Sequence, residues 1–72
     1  MTYGKSRIYK KVEVIGTSPQ SVEAAIQSAV DRAKESLEKL SWFEVLEVRG
    51  HIDDDGKVAE YQVILKIAFE LS

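Results

Sequence analysis

The distribution of apolar residues along the 72-residue chain predicts three strands and one helix. From Arg7 to Ile15, β-branched and aromatic residues are frequent and Gly16 follows them, which indicates a first strand. Phe43 to Ile52 and Val58 to Leu71 are predicted as the second and third strands. The Asp-rich and Gly-containing turn between them predicts an antiparallel hairpin. Residues Met1 to Ser6 show no period and are expected to form a flexible arm.

A single amphipathic helix is predicted from Pro19 to Leu40. Its apolar residues recur at spacings of three and four and fall in one arc of the helix: Val22, Ala25, Ile26, Ala29, Val30, Ala33, Leu37 and Leu40. Proline suits the first helical position, and either Ser18 or Thr17 suits the N-cap. The resulting order, β-α-β-β, predicts one small α+β domain over residues 1–72, with the sheet covered on one face only.

Alternation along the second and third strands separates the residues that face the helix from those that do not. The helix-facing set is predicted to be Leu46, Val48, Ile52, Tyr61, Val63, Leu65, Ile67, Phe69 and Leu71. The opposite face is predicted to carry Val45, Glu47, Arg49, His51, Gln62, Ile64, Lys66 and Ala68. The register that fits this assignment pairs Val48 with Val63, Leu46 with Leu65, Glu47 with Ile64, Arg49 with Gln62 and His51 with Glu60.

The uncovered face mixes aliphatic residues (Val45, Ile64 and Ala68) with polar ones. This mixture is more typical of a surface that meets other subunits or a flat amphipathic ligand than of a fully solvated face. Scattered exposed hydrophobic residues are the ordinary alternative.

Composition narrows the classes of protein that the chain can belong to. Twelve acidic against ten basic residues give a net charge of −2, which argues against a dedicated nucleic-acid binder. The absence of cysteine excludes a disulfide framework and a Cys-based zinc site. No apolar run is long enough to span a membrane and no signal peptide is recognisable, so we expect a cytoplasmic protein. A chain this small usually needs disulfides, a metal or oligomerisation for stability, and oligomerisation is the expectation here.

The candidate chemistry is that of binding and not of catalysis. His51 precedes Asp53, Asp54 and Asp55, but the run lacks the spacing of a calcium loop and is better explained as a solvated hairpin turn, so no metal site is predicted. The chain has no cysteine nucleophile, no serine spaced as a partner for the histidine and no glycine-rich phosphate loop, and we therefore expect no enzymatic activity.

Trp42, the only tryptophan, is open to two interpretations. It can be a core or interface aromatic, which is the more common role. It can instead be a stacking platform for a planar ring, with Glu47, Arg49 and Gln62 as polar groups around the ring. Strict alternation points Trp42 toward the helix, but parity at the start of a strand does not decide between the two.

Six short motifs, in their order and spacing, carry a resemblance to a known family. They are Lys10-Lys11-Val12-Glu13, Gly16-Thr17-Ser18-Pro19, Ala24-Ala25-Ile26-Gln27, Trp42-Phe43-Glu44-Val45, Arg49-Gly50-His51 and Tyr61-Gln62-Val63. With them the chain resembles the dodecins, small flavin-binding proteins of bacteria and archaea. The resemblance implies a three-stranded antiparallel sheet wrapped around one helix. It also implies a homododecamer that binds riboflavin or FMN as stacked pairs between its subunits.

The resemblance also implies roles for individual residues. Trp42 would stack on the isoalloxazine ring, Gln62 would hydrogen-bond the polar edge of the ring, Arg49 would lie near the flavin, and Glu47 would contact the ribityl hydroxyls. The implied function is storage and sequestration of the flavin with quenching of its photochemistry.

One departure from the family pattern concerns the phosphate of FMN. Bacterial relatives often carry a basic residue after the last phenylalanine, where this chain has Glu70. The choice between riboflavin and FMN therefore stays open, and a structural or scaffolding oligomer with weak or no flavin binding is the alternative function. Some relatives also bind coenzyme A through basic residues; Arg7, Lys10 and Arg32 could serve here, although ordinary surface charge explains them equally well.

Overall fold

The computed structural model describes residues 6–71 as a β-α-β-β chain. The elements are β1 (Ile8–Ser18), α1 (Val22–Ala33), β2 (Leu40–Ile52) and β3 (Val58–Leu71). They form an antiparallel sheet with the order β1-β3-β2, so β3 is central and the other two strands are edges. The predicted α+β class and the bounds of the third strand are confirmed. The predicted N-terminal arm, apart from Ser6, lies outside the described residues.

The helix begins later than predicted. The prediction of a start at Pro19 is wrong, because the helix starts at Val22. Strand β1 continues to Ser18, which pairs with Tyr61 of β3, and the chain then needs residues 19–21 to reach the helix. The N-cap is Ser21, whose Oγ accepts a hydrogen bond from the backbone N–H of Ala24 at 3.0 Å. Neither of the predicted caps has this role, since the ladder with β3 holds both residues in extended backbone.

The helix also ends earlier than predicted, at Ala33 instead of Leu40. Beyond Ala33 the chain turns, and Lys39 adopts a left-handed backbone with φ of 60°, which is incompatible with helix continuation. Leu40 then starts β2 opposite Phe69, three residues before the predicted start. Leu37 and Leu40 still pack against the core. Their apolar spacing suits burial in either structure, and that is why periodicity extended the helix over them.

The core lies between one face of α1 and the centre of the sheet. Ala25, Ala29 and Ala33 are buried against the helix-facing residues Val63, Leu65 and Ile67 of β3. The small alanines let the helix approach the sheet closely, and Gly16 of β1 allows the closest approach: a Cβ there would lie 2.1 Å from the carbonyl oxygen of Ala25. The helix therefore packs mainly over β1 and β3.

The edge strand β2 is left largely uncovered on its helix-facing side. Val48 pairs with Val63 and so faces the helix side as predicted, yet 52% of its surface is exposed. Ile52, near the hairpin turn, is 66% exposed. Phe43 and Val45 are exposed on the same side, opposite Ile67 and Leu65. The chain thus presents an apolar strip, which we call the β2 strip and define as Phe43, Val45, Val48, Ile52 and Val58.

Candidate ligand-binding face

The sheet face opposite α1, called here the helix-free face, carries all four residues of the predicted site. Residues that pair across strands point to the same face. By this criterion the face consists of Tyr9, Lys11, Glu13, Ile15, Thr17, Trp42, Glu44, Glu47, Arg49, His51, Glu60, Gln62, Ile64, Lys66, Ala68 and Glu70.

An irregularity between Val45 and Glu47 explains how Trp42 comes to lie on this face. Val45 pairs with Leu65 while Glu47 pairs with Ile64, so β2 has one extra residue, Leu46, in a β-bulge. The bulge reverses the alternation for residues 42–45, and a second irregularity, between Leu40 and Trp42, returns Leu40 to the helix side. Trp42 is therefore opposite Ala68, on the helix-free face, and not on the helix side as strict alternation indicated.

Because of the same bulge, one predicted residue pair and one predicted face assignment are wrong, while four other predicted pairs are confirmed. The pairing of Leu46 with Leu65 is wrong, and so is the placement of Val45 on the helix-free face. The predicted pairs Val48–Val63, Glu47–Ile64, Arg49–Gln62 and His51–Glu60 are confirmed. All four lie on the turn side of the bulge, where the alternation is undisturbed.

Two aliphatic residues of this face are not available to a partner. Ile64 is 8% exposed and Ala68 is fully buried, although no helix covers them. Lys11 and Trp42 flank Ala68 on the neighbouring strands. The prediction that Val45, Ile64 and Ala68 form an exposed apolar contact surface on this face is therefore wrong.

An aromatic and charged cluster surrounds Trp42. Its ring lies 4.8 Å from the ring of Tyr9, centre to centre, at an interplanar angle of 56°. The indole Nε1–H donates a hydrogen bond of 2.9 Å to Oε2 of Glu44. The ammonium of Lys11 lies 3.0 Å from both carboxylate oxygens of Glu44. These donors hold the pKa of Glu44 below its usual value, with the bond from Trp42 the largest cause and the bond from Lys11 the next.

A second, polar cluster lies nearer the hairpin turn. Nε of Arg49 donates to Oε1 of Gln62 at 2.8 Å, and Nε2 of Gln62 donates to Oε1 of Glu60 at 2.8 Å. These two bonds fix the orientation of the Gln62 amide, with its oxygen toward the guanidinium. Glu47, opposite Ile64, is the next residue of β2 on the same face. The structure thus brings three of the four predicted site residues together.

The fourth, Trp42, is far from the other three within one chain. Trp42 is opposite Ala68, whereas Arg49 is opposite Gln62, six residues away along β3. At about 3.4 Å per residue, this separation is about 20 Å. One chain therefore presents two separate candidate half-sites on one face: an aromatic one at Trp42 and a polar one at Gln62.

Sequence reasoning did not assign Tyr9, Lys11 or Glu44 to the site. One signal for Glu44 is in the sequence: two residues separated by one in a strand point to the same side, so Glu44 has to accompany Trp42. Tyr9 and Lys11 reach Trp42 across the central strand, and this pairing of β1 with β3 is not readable from local pattern.

The hairpin turn has a structural role. Oδ1 of Asp53 accepts hydrogen bonds from the backbone N–H groups of Asp55 and Lys57, both at 3.0 Å, and Gly56 supplies the positive φ of 77° that the turn requires. Within residues 6–71, no three His, Asp or Glu side chains are grouped as ligands for a metal ion. In the same residues, no helix has the length and apolar character needed to cross a membrane.

Together these features describe a class of small α+β protein whose single helix leaves one sheet face free, with an aromatic and a polar cluster of side chains on that face. A family model described as Dodecin matches residues 8–72. The dodecin of Thermus thermophilus is 54% identical over 65 residues, which cover 90% of this chain and 93% of the relative. The chain therefore belongs to the dodecin family.

Two further relatives agree with this assignment. The structure of the dodecin from Streptomyces davaonensis matches with a TM-score of 0.89 at 41% identity, covering 94% of this chain and 98% of that one. The calcium dodecin of Mycobacterium tuberculosis is 36% identical over 64 residues, 89% of each chain.

Proposed function

We propose that this protein binds riboflavin or FMN as stacked pairs between the subunits of a homododecamer, and that it stores the flavin in the cytoplasm in a quenched state. Membership of the dodecin family supports the class of function. The observation that carries the proposal is the separation of two complementary half-sites on one otherwise uncovered face.

The half-sites have the chemistry that the two parts of a flavin need. The three-ring isoalloxazine head is flat and aromatic with a polar edge, and its ribityl chain carries hydroxyl groups. Trp42, 45% exposed, offers an indole surface for stacking. Gln62 and Arg49 offer an oriented amide and a guanidinium to the polar edge, and the Glu47 carboxylate is an acceptor for hydroxyl groups.

The distance between the half-sites favours binding between subunits. A span of about 20 Å along β3 is longer than one isoalloxazine head, so a single copy cannot apply both half-sites to the same ring. A second copy has to bring its polar half-site to the first copy's Trp42. A shared site of this kind makes assembly a condition for binding.

The β2 strip is the surface that we assign to assembly. It lies on the helix side, where Val48, Ile52 and Val58 are each more than half exposed. Contiguous apolar surface of this kind on a small protein is typical of subunit contacts. Burying it in an oligomer would also supply stabilisation that a core built on one short helix lacks.

The proposed activity is quenching and storage without turnover. An indole stacked on a flavin is an electron donor within contact distance of the excited ring. Transfer of one electron from Trp42 to the excited flavin, followed by its return, leaves both molecules unchanged and removes the excitation. In the cluster around Trp42, Lys11 is bonded to Glu44 and Glu44 accepts from the indole N–H, so neither side chain is free to act as a nucleophile on a bound substrate.

The charge of the face favours riboflavin over FMN. Five carboxylates lie on it (Glu13, Glu44, Glu47, Glu60 and Glu70) against three bases (Lys11, Arg49 and Lys66). Glu70 pairs with Tyr9 and is two residues from Ala68, which places its carboxylate near the aromatic half-site. The phosphate of FMN would be repelled there, whereas uncharged riboflavin would not.

Coenzyme A is a second ligand that family membership suggests. A groove of about 380 Å³ between α1 and β1 is lined by Arg32, Ser28, Ser36 and Gly16. Arg32 could hold a phosphate group there, although its guanidinium also bonds Glu35 at 3.0 Å. Binding of coenzyme A that Arg32→Ala weakens would support this assignment, and equal binding by the two proteins would contradict it.

The direct test of the proposed function is a fluorescence titration of riboflavin with the purified protein. We expect strong quenching that saturates, and weaker binding with less quenching in Trp42→Ala. Trp42→Phe is the control, because it retains an aromatic surface but is a poorer electron donor. Unchanged flavin fluorescence with a correctly assembled wild-type protein would contradict the proposal and would favour the scaffolding alternative.

A further inference from the structure

A salt bridge on the helix-free face connects the two edge strands of the sheet. Lys11 lies on β1 and Glu44 on β2, and β3 runs between them. The Lys11 ammonium lies 3.0 Å from each oxygen of the Glu44 carboxylate. The two side chains can meet over the central strand because the residue between Lys11 and Trp42 is Ala68, whose methyl group occupies little space.

This salt bridge restrains the carboxylate that binds the Trp42 indole. The Glu44 oxygen that accepts the indole N–H, Oε2, is also bonded to Lys11, so the carboxylate is held from one side while it holds the indole from the other. Tyr9 contacts the indole with its ring 4.8 Å away. The indole is thereby restrained at its nitrogen and along one side, and 45% of Trp42 is left exposed.

Isolated salt bridges at this degree of exposure contribute little to stability. The Lys11 and Glu44 side chains are 43% and 41% exposed, so a purely structural account gives the pair a small effect. Restraint of a binding group before the ligand arrives has a different consequence: it reduces the conformational entropy that binding would otherwise cost.

We propose that Glu44, held by Lys11, is a positioning residue that fixes the Trp42 indole in the orientation that stacks on the ligand. This inference rests on the proposed function, because it assumes that a flavin ring stacks on Trp42. Lys11 acts through Glu44 and not on the flavin itself. Removal of Glu44 therefore releases the indole, and removal of Lys11 loosens it because the Glu44 side chain is then less restrained.

The experiment is a double-mutant cycle on riboflavin affinity with Lys11→Gln, Glu44→Gln and the double variant. Loss of a charge-assisted hydrogen bond to the indole is expected to weaken binding about tenfold in Glu44→Gln. A smaller loss is expected in Lys11→Gln, and the double variant should bind no more weakly than Glu44→Gln. Lys10→Gln is the matched control: Lys10 is the neighbouring lysine of β1, and by its pairing with Phe69 it lies on the other face.

Losses that multiply in the double variant would overturn the claim that Lys11 acts through Glu44. Unchanged affinity in Glu44→Gln would overturn the positioning role altogether. Size-exclusion chromatography and thermal melting of each variant separate these results from misassembly. If Lys10→Gln loses as much affinity as Lys11→Gln and Glu44→Gln, the loss is not specific to the pair and the proposal is also overturned.

A measurement without ligand distinguishes this inference from the proposed function. The single tryptophan gives one indole N–H signal in ¹⁵N-edited NMR. We expect this signal to move in both Glu44→Gln and Lys11→Gln and to stay in place in Lys10→Gln. If the chemical shift of the indole N–H is the same in all three variants as in the wild type, the positioning role is overturned even if riboflavin binds. If the signal shifts in Glu44→Gln and Lys11→Gln but the wild-type protein does not bind riboflavin, the proposed function on which the role depends is overturned.

Discussion

Trp42 and Gln62 lie on the same face of the sheet but belong to different half-sites, because Trp42 pairs with Ala68, six residues along β3 from Gln62. The separation of about 20 Å follows from the strand rise alone. Residues that the sequence groups as one site therefore lie on two surfaces, and the proposed function requires a second copy to bring these surfaces together. If the proposal is right, loss of assembly abolishes flavin binding.

Assembly should depend on the β2 strip. Val48→Lys places a charge on a residue that is 52% exposed in the single chain, so the subunit should still fold. In the oligomer the same charge would be buried without a partner, which is costly. We expect the variant to elute as a smaller species in size-exclusion chromatography, with native-like circular dichroism. Val48→Ile keeps the strip apolar and should assemble normally; a fully assembled Val48→Lys would show that the strip is not a subunit contact.

Folding should depend on the close approach of α1 to β1. A Cβ at residue 16 would meet the carbonyl oxygen of Ala25 at 2.1 Å and the Cβ of Ala29 at 3.0 Å, so the helix would have to move away. We expect Gly16→Ala to lower the free energy of unfolding by about 3 kcal/mol. Gly56→Ala is the control: it has open space around it but a φ of 77°, and it should cost only about 1 kcal/mol. Equal denaturant midpoints for the two variants would argue against this packing.

Acid should weaken the protein slightly through Glu44, since contacts at this degree of exposure contribute little to stability. Hydrogen bonds from Trp42 and Lys11, and the charges of Lys11 and Lys66, hold the pKa of this carboxyl below its usual value of 4.5. The stabilising contribution is therefore complete above pH 4.5 and is lost as the pH falls through the lower pKa of the folded state. In thermal melts at constant protein concentration, the wild type should lose stability in this range more steeply than Glu44→Gln.

Glu23→Gln, at an exposed position in the first turn of α1, is the control for the acid experiment. It removes a carboxylate without touching the cluster around Trp42, and its melting temperature should follow that of the wild type across the acid range. Parallel curves for the wild type and Glu44→Gln would contradict the role of the Trp42 and Lys11 contacts in stability.

Ligand preference should respond to Glu70. We expect the wild-type protein to bind riboflavin more tightly than FMN, and Glu70→Lys to bring the two dissociation constants closer together or reverse their order, because it replaces a repelling charge with an attracting one. Glu13→Lys makes the same change in charge at another position on the helix-free face, opposite Lys66. If both substitutions shift the preference equally, the effect comes from net charge and not from a contact at residue 70.

Much of the fold could be predicted because alternation and amphipathic spacing report burial directly. The third strand was bounded correctly since Val63, Leu65 and Ile67 alternate without interruption and are all buried. The spacing of Leu37 and Leu40 predicts a helix that is too long, because these residues pack against the core without being helical. Local pattern cannot show that a later strand will pair with Leu40 and end the helix early.

The positions of the site residues were harder to predict than the strands, mainly because of the bulge at Leu46. Arg49, Gln62 and Glu47 were placed correctly because they lie on the turn side of the bulge. Trp42 could not be placed, since the extra residue Leu46 reverses the faces of residues 42–45 and leaves no mark in the composition of the strand. Glu44 has to share the face of Trp42 and could not be placed without it, whereas Lys11 reaches the cluster through the pairing of β1 with β3.

Complementation between two variants can show whether the flavin site is shared between subunits. Trp42→Ala and Gln62→Ala chains, each impaired in riboflavin quenching alone, would be co-expressed so that they assemble into mixed oligomers. In some sites of these oligomers an intact Trp42 from one chain meets an intact Gln62 from another, and we predict that quenching is partly restored. Mixed oligomers that quench no more riboflavin than the two variants do separately would show that both residues act within one chain, and would contradict the account.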